Sequence, residues 1–332
     1  METNISDSEL KFPNKCERKT HKIVINRSKG IEKIRNILFS YPSINKYAYE
    51  FKKIQKFYGI SYLTNTHFSK NSTNSSSNGR IFPEFLLPGF PKCGSTSLWY
   101  YLKQHPNIFG TKHKETHFFS YDFKKGFNYY AMNFPINKHN PTQITFEASQ
   151  SYLHDNFTMK RIQKKAPKMK FIVLFRNPVQ KTISTYNDLV NNNLEVDSLH
   201  DCIKNEDERL AIWKKRHEYG TLTPYTYGRC LPYLHFATYV EHMKNALELF
   251  PREQFLFLDT QDLKNSPQSI TEKCFEFLDL PNFIVDTTKK NIGKYPSNLT
   301  NKAYEESSFL KKYFQPLNKQ LQDLLGMNFN WD

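Results

Sequence analysis

Short apolar runs alternate with helical patterns along most of the chain, and this order restricts the possible folds more than any other feature. Four runs have the length and composition of buried strands, at residues 82–90, 143–149, 170–176 and 254–259. Helical patterns follow at residues 95–104, 155–165, 178–190, 234–250 and 309–325. Strands that alternate with helices form a parallel sheet, so we expect an α/β fold with helices on both faces of the sheet.

The first 80 residues differ in composition from the rest. They are basic and polar, with short helical pieces at residues 31–39 and 44–57, and they end in the stretch "SKNSTNSSSNGR". A Ser/Asn-rich stretch of this kind cannot contribute to a core. We therefore expect an N-terminal arm and linker over residues 1–80 and one compact domain over residues 81–332. The apolar stretch at residues 34–44 is too short to span a membrane, so no anchor is expected from the sequence as written.

The formal charge is +15, from 47 Lys and Arg against 32 Asp and Glu. This excess favours anionic partners such as nucleotides, acidic polysaccharides, nucleic acid or anionic membranes. A general drift in composition toward Lys and Asn explains it equally well, so charge alone identifies no partner. We find no nucleic-acid recognition module and predict no nucleic-acid partner. The five cysteines lack paired CxxC spacing, which argues against zinc, and Cys202 and Cys230 are either paired or buried free thiols.

The segment "PGFPKCGSTS" at residues 88–97 stands between the first strand and the first helix. Gly89 and Gly94 permit a tight turn, and Lys92 adds a cation next to it. The helix then opens with Ser95, Thr96 and Ser97, which present hydroxyls and free N–H groups at its positive end. Together with Cys93 in the turn, these residues predict an anion-binding loop.

The position of the lysine separates this loop from that of nucleotide-hydrolysing P-loop proteins. In the signature GxxxxGK[ST] the lysine follows the second glycine and the next Ser or Thr holds Mg²⁺. Here Lys92 precedes Gly94, and the nearest candidate for a second metal ligand is Asp259. The sequence therefore indicates a phosphate compound that is handled without a metal.

Two motifs resemble those of sulfotransferases that use 3′-phosphoadenylyl sulfate. The segment "PKCGSTSL" is similar to the family's 5′-phosphosulfate loop, and "LFRNPVQKTISTY" at residues 174–186 is similar to its 3′-phosphate motif. In that motif an Arg at a strand end and a Ser eight residues later hold the 3′-phosphate, and Arg176 and Ser184 have this spacing. The resemblance implies a P-loop-like parallel sheet and 3′-phosphoadenylyl sulfate as co-substrate.

Further segments resemble the Golgi carbohydrate sulfotransferases, above all the heparan sulfate 3-O-type and the N-acetylgalactosamine 4-sulfate 6-O-type. These are "KETHFFS" at residues 114–120 and the tail at residues 311–332, so the resemblance covers about residues 83–332. It implies that Glu115 is the catalytic base, that His117 contacts substrate or the sulfuryl group, and that Lys92 stabilises the leaving oxygen. It also implies nucleotide contacts from a late loop, through Lys290, Gly293 and Lys294.

One stretch departs from the heparan 3-O-type pattern. Those enzymes carry Glu-Lys-Thr-Pro-Ser-Tyr, whereas this chain has Ala148 at the lysine position and Gln150 at the proline position. We therefore predict a sulfotransferase with a glycosaminoglycan-like acceptor, acidic or neutral, without assigning heparan sulfate. The resemblance implies the Golgi lumen, whereas the chain taken as complete would be cytoplasmic. Two alternatives stay open: an atypical P-loop kinase that needs Mg²⁺ and ATP, and a non-catalytic polyanion-binding protein. The oligomeric state cannot be read from the sequence.

Overall fold

The computed structural model describes residues 82–135, 142–218, 230–288 and 305–331. Within these ranges five parallel strands form one sheet, in the order β2-β3-β1-β4-β5. The strands are β1 (Phe85–Leu86), β2 (Ile108–Gly110), β3 (Ile144–Glu147), β4 (Lys170–Phe175) and β5 (Phe255–Asp259). The predicted parallel α/β sheet is confirmed.

The helices join successive strands, as the alternating pattern predicted. The α-helices are α1 (Ser95–Leu102), α2 (Gly126–Ala131), α3 (Asn156–Lys165), α4 (Pro178–Asn191), α5 (Leu199–Lys204), α6 (Glu206–Glu218), α7 (Tyr233–Ala237), α8 (Tyr239–Leu249), α9 (Thr260–Asn265), α10 (Pro267–Phe277) and α11 (Ser307–Leu325). Short π- and 3₁₀-helical turns stand at Phe118–Asp122, Phe123–Lys125 and Arg252–Gln254. No helix among the described residues is long and apolar enough to cross a bilayer.

The single helix predicted for residues 234–250 was wrong, because the structure has two helices there. The helix is interrupted at Thr238, whose φ and ψ are −83° and 74°. Its hydroxyl donates to the carbonyl of Leu234 at 2.9 Å, which is the local side-chain bond by which Thr competes with a helix. The break turns Tyr239 toward the sheet, where its hydroxyl donates to the carbonyl of Arg176 at 2.9 Å.

Aromatic rings fill the layers between the sheet and its helices. Phe85 of β1 stacks on Phe146 of β3 at 4.7 Å between ring centroids, and Phe171 of β4 stacks on Phe255 of β5 at 4.8 Å. All four rings are buried, and each contributes about 1.5–3 kcal/mol through the apolar surface removed from water. Since the sheet is parallel, the loops after β1, β3, β4 and β5 meet at one edge.

The cysteines are free and buried where the structure describes them. Cys202 and Cys230 are both free thiols, as is Cys93 in the loop after β1. Of the two alternatives for Cys202 and Cys230, the structure has the buried thiols. The separation of residues 1–80 from the domain stays a prediction, because residues 1–81 lie outside the described residues.

Three histidines pack together behind the loop after β1. The rings of His154 and His242 lie 5.2 Å apart, and those of His235 and His242 lie 4.8 Å apart. His242 donates from Nε2 to the carbonyl of His235 at 2.9 Å. Burial, followed by the charge of His235, lowers the pKa of His242 to about 3, and burial lowers the pKa of His235 to about 4. The folded protein therefore holds these rings neutral.

Acid should destabilise the fold through this cluster. The unfolded histidine takes up a proton near pH 6.5, whereas folded His242 does so only near pH 3, so stability is full above pH 6.5 and falls as the pH is lowered. Each such histidine contributes a slope of about 1.4 kcal/mol per pH unit. We expect His242→Gln to reduce the slope between pH 6 and 4 in urea denaturation. Equal slopes in wild type and His242→Gln would contradict the assignment.

Candidate active site

The loop after β1 is held in a backbone conformation that suits glycine. Gly94 has φ of +85° and precedes α1, and an added Cβ would lie 3.4 Å from both Leu263 and Thr260. The Thr260 hydroxyl lies 2.7 Å from the carbonyl oxygen of Cys93 and 2.6 Å from that of Phe175, so it ties the loop to the end of β4. The loop is therefore fixed to the edge of the sheet where the strands end.

The N-terminus of α1 has no counter-charge of its own. No side chain caps it, and its first turn has no acidic residue. The first intrahelical bonds run from Ser97 and Leu98 to the carbonyl of Gly94, so the N–H groups of Ser95 and Thr96 have no intrahelical acceptor. Free N–H groups at the positive end of a helix make a site for an anion. The predicted loop residues thus lie together in the arrangement that the sequence indicated.

Arg176 joins the end of β4 to this loop. Its Nη1 donates to the carbonyl of Lys92 at 3.0 Å, and Lys92 has φ of +63°. Its Nε is buried and has no hydrogen-bond acceptor in the part of the chain that the structure describes. A buried guanidinium N–H without an acceptor is costly unless a ligand supplies one, and the planar fork of Arg suits phosphate. The unsatisfied Nε of Arg176 therefore indicates that an anion binds beside the loop.

Two further charged residues belong to the same region and were missed by the sequence analysis. Asp188 of α4 lies 3.2 Å from Lys92, measured from Oδ1 to Nζ. Burial raises the pKa of Asp188, Lys92 opposes this, and Glu115 adds to it, which places Glu115 in the same electrostatic neighbourhood. Partial burial and then the charge of Arg176 lower the pKa of Lys264. Lys264 thus adds a second cation within reach of the Arg176 charge.

Ser184 lies on the face of α4 that turns toward the loop. It is half-buried and precedes Asp188 by four residues, which places the two side chains on one face of the helix. Because Asp188 contacts Lys92, this face is directed at the anion-binding loop. The pairing of Ser184 with Arg176 at one phosphate stays a prediction.

Glu115 and His117 stand on a strained segment above the end of β3. Both residues have positive φ, +66° and +50°, and the N–H of Glu115 donates to the carbonyl of Ala148 at 3.0 Å. The Glu115 carboxylate accepts from Lys114 Nζ at 2.7 Å and lies 3.3 Å from His117 Nε2. Burial would raise the pKa of Glu115, but the charges of Lys114 and His117 hold it well below the ordinary range. Glu115 is therefore an ionised carboxylate with both oxygens engaged.

Glu147, at the end of β3, supports this segment from below. It is fully buried, and its carboxylate accepts from four hydroxyl groups, those of Thr116, Tyr130, Ser149 and Tyr152. Ser149 in turn accepts from the backbone N–H of His117 at 2.9 Å. A buried carboxylate with all its acceptor capacity used is stable. Glu147 thus fixes the backbone of the 115–120 segment and does not face a substrate.

Comparison with known proteins identifies the family. A family model described as "Sulfotransferase domain" matches residues 82–319. This chain belongs to the sulfotransferase domain family. The sulfotransferase has relatives named for carbohydrate chemistry, which confirms the resemblance to the carbohydrate sulfotransferases and its assignment as an enzyme.

Two of these relatives act, by name, on heparan sulfate. The sulfotransferase is 26% identical over 275 residues to heparan sulfate glucosamine 3-O-sulfotransferase 6 of Mus musculus, with 76% of this chain and 75% of the relative covered. It is 27% identical over 222 residues to bifunctional heparan sulfate N-deacetylase/N-sulfotransferase 1 of Caenorhabditis briggsae, with 63% of this chain covered. The chain spans only 24% of the length of that bifunctional relative.

A solved structure has the same fold. The sulfotransferase from Alicyclobacillus acidocaldarius matches with a TM-score of 0.57 and 25% sequence identity, and the match covers 75% of this chain and 98% of the other. The shared parallel sheet with flanking helices confirms the P-loop-like fold class. Lys290, Gly293 and Lys294, the predicted contacts of the late loop, lie outside the described residues.

The end of β5 bears on the kinase alternative. Asp259 Oδ1 caps α9 by accepting from the N–H of Gln261 at 2.6 Å, and Oδ2 accepts from Trp331 Nε1 at 2.8 Å. Trp331 is held in addition by Asn177, whose side chain donates to its carbonyl at 2.8 Å. Both oxygens of Asp259 are therefore used within the protein, which leaves it poorly placed to act as a Mg²⁺ ligand. The described residues contain no cluster of three or more His, Cys, Asp or Glu side chains suited to a metal.

Proposed function

We propose that this sulfotransferase transfers the sulfuryl group of 3′-phosphoadenylyl sulfate to a hydroxyl group of a glycosaminoglycan-like carbohydrate. One observation carries the choice of donor: Arg176 reaches the loop through one nitrogen, while its buried Nε has no protein acceptor in the described part of the chain. This donor has two separated anionic groups. We assign one of these groups to the N-terminus of α1 and the other to Arg176 and Ser184.

The donor's 5′-phosphosulfate end would lie on the loop. The N–H groups and hydroxyls of Ser95, Thr96 and Ser97, with the backbone at Cys93 and Gly94, would hold its oxygens. The 3′-phosphate would lie between Arg176 and Ser184, where the guanidinium supplies paired N–H donors. Lys290, Gly293 and Lys294 are proposed to contact the nucleotide from the late loop.

Sulfuryl transfer forms a bond between sulfur and the sugar oxygen and breaks the bond between sulfur and the 5′-phosphate oxygen. Negative charge develops on that phosphate oxygen, and we assign Lys92, whose Nζ lies 3.2 Å from Asp188 Oδ1, to stabilise it. The sugar hydroxyl must lose its proton, for which we assign Glu115 as the base. His117 would orient the acceptor or contact the sulfuryl group. The product is adenosine 3′,5′-bisphosphate, and no step requires a metal.

The acceptor assignment rests on chemistry and on the relatives. Two relatives are named for heparan sulfate, and the chain carries a charge of +15 that favours a polyanion. Ala148 stands where the heparan 3-O-type enzymes carry a lysine. We therefore propose a glycosaminoglycan-like chain as acceptor without specifying heparan sulfate. The Golgi lumen, where such chains would be met, stays a prediction from resemblance.

Calorimetric titration tests the donor class. We expect adenosine 3′,5′-bisphosphate to bind with a dissociation constant in the micromolar range or below, and ATP with Mg²⁺ to bind at least tenfold more weakly. Tighter binding of ATP with Mg²⁺ would favour the kinase instead. If neither nucleotide bound while heparin did, the polyanion-binding alternative would stand.

A further inference from the structure

The carboxylate assigned as the base is occupied on both of its oxygens. Glu115 Oε1 accepts from Lys114 Nζ at 2.7 Å, and Oε2 lies 3.3 Å from His117 Nε2. A base must offer a free lone pair to the proton that it removes, at hydrogen-bond distance from the hydroxyl. Lone pairs remain on both oxygens, because a carboxylate has about four lone-pair sites, but each cationic partner makes them less basic. The release of one partner would therefore make Glu115 a stronger base.

His117 is fixed in place from several sides. Its Nδ1 lies 3.0 Å from the hydroxyl of Ser151, which also lies 2.9 Å from the hydroxyl of Ser120. Its backbone N–H donates to Ser149. These contacts hold the ring at its position, so its release would break several hydrogen bonds at once.

Lys114 has no comparable restraint. Over the described residues, its Nζ has Glu115 as its one hydrogen-bond acceptor, and its side chain is 17% exposed. A lysine side chain is a flexible stem that carries a compact charge with three rotatable donors, so it can change partners at small cost. Of the two groups that occupy Glu115, Lys114 is the one that can leave.

On the basis of the proposed function, we propose that Lys114 couples the charge of the acceptor to the activity of Glu115. An acidic sugar chain bound beside the reacting hydroxyl takes Lys114 as its own counter-ion. Glu115 Oε1 is thereby freed and accepts the hydroxyl proton while the new sulfur–oxygen bond forms and the bond to the 5′-phosphate breaks. A neutral acceptor leaves Lys114 on Glu115, so the carboxylate stays a weak base. Lys114 thus makes the enzyme prefer anionic acceptors.

The charges around Glu115 agree with this role. Burial alone would raise the pKa of Glu115, and the charge of Lys114 is the largest influence that opposes it. The other titratable groups that interact with Glu115 are His117, Asp188 and Tyr121. Of these only His117 adds to the effect of Lys114, so removal of Lys114 should raise the pKa of Glu115 and strengthen it as a base.

The experiment compares two acceptors that differ in charge alone. These are the unsulfated heparan backbone of alternating glucuronate and N-acetylglucosamine, and the same polymer with its carboxyl groups reduced to alcohols. Sulfuryl transfer from 3′-phosphoadenylyl sulfate to each polymer is measured at about pH 7 for the wild type, Lys114→Met and Lys114→Arg. Lys112→Met, at an exposed position in the same segment, is the matched control.

The two acceptors should respond in opposite directions to Lys114→Met. We expect kcat/KM to fall about tenfold on the acidic polymer, the size of one lost charged contact, and to rise on the reduced polymer. Lys114→Arg should retain most of the preference, and Lys112→Met should match the wild type.

The outcomes separate this inference from the proposed function. If the wild type transfers to no glycosaminoglycan chain, the proposed function fails and the inference fails with it. If it transfers only to another acidic chain, that chain and its carboxyl-reduced form are compared in the same way. If the wild type transfers, but Lys114→Met lowers kcat/KM on both acceptors by the same factor, the inference alone is overturned.

Discussion

Replacement of Glu115 by Gln is expected to lower the rate of sulfuryl transfer by about 10³-fold, within the range that general-base catalysis contributes. Glutamine has nearly the same shape but cannot accept the proton of the sugar hydroxyl. Because the proposed nucleotide contacts are on the loop, Arg176 and α4, and do not include Glu115, the affinity for adenosine 3′,5′-bisphosphate should stay close to that of the wild type. Initial rates with labelled donor and calorimetry on the same preparation measure both quantities.

The control for Glu115→Gln tests whether the loss of the two ion pairs of Glu115 disturbs the fold. Lys114 and His117 lose a charged acceptor in Glu115→Gln, so thermal unfolding should show that the fold is retained. Glu253→Gln, on the exposed turn before β5, is a matched substitution that should leave the rate unchanged. Full activity in Glu115→Gln would show that the base is another group, and His117 would then be the first residue to test.

Replacement of Arg176 by Ala should weaken the binding of adenosine 3′,5′-bisphosphate by about 100-fold, because paired charge-assisted hydrogen bonds to the 3′-phosphate are lost. The preference between nucleotides with and without a 3′-phosphate tests the role of Arg176 more specifically than affinity alone. The wild type should prefer the 3′,5′-bisphosphate over adenosine 5′-monophosphate, and Arg176→Ala should bind the two nucleotides almost equally. Calorimetric titration of both nucleotides into both proteins measures this difference.

Arg176→Lys separates the charge of the guanidinium from its geometry. A lysine keeps the cation but loses the planar fork and the bond to the carbonyl of Lys92, so we expect an affinity between those of the wild type and Arg176→Ala. Ser184→Ala should lower the same selectivity by a smaller factor. If Arg176→Ala lowered the affinity for both nucleotides by one common factor, its role would be to hold the loop in place.

The sheet could be predicted from the sequence where the strands are continuous apolar runs. Five successive buried residues from Phe171 to Phe175 leave no other interpretation for β4. The three-residue strand β2, Ile108–Gly110, was missed because so short a run shows no periodicity. The break at Thr238 was also missed, since a helical pattern continues through it and only a hydrogen bond and the packing of Tyr239 reveal it.

The candidate site also has residues that could be predicted from the sequence and residues that could not. The loop residues, Arg176 and Ser184 belong to local motifs that the family resemblance makes visible in the sequence, and their roles stay predictions. Asp188 and Lys264 could not, because their place in the site depends on how α4 and α9 pack beside the loop. Glu147 looks like any acidic residue at a strand end, and only the fold brings four hydroxyl groups onto its carboxylate.

The measurement that tests the central claim most directly is sulfuryl transfer from ³⁵S-labelled 3′-phosphoadenylyl sulfate to a panel of glycosaminoglycan chains, with the wild type beside Glu115→Gln. The account predicts label in at least one polysaccharide, formation of an equal amount of adenosine 3′,5′-bisphosphate, and loss of both in the variant. Binding of the bisphosphate without label in any acceptor would contradict the assignment of a carbohydrate substrate. Transfer that persists in Glu115→Gln would contradict the proposed mechanism.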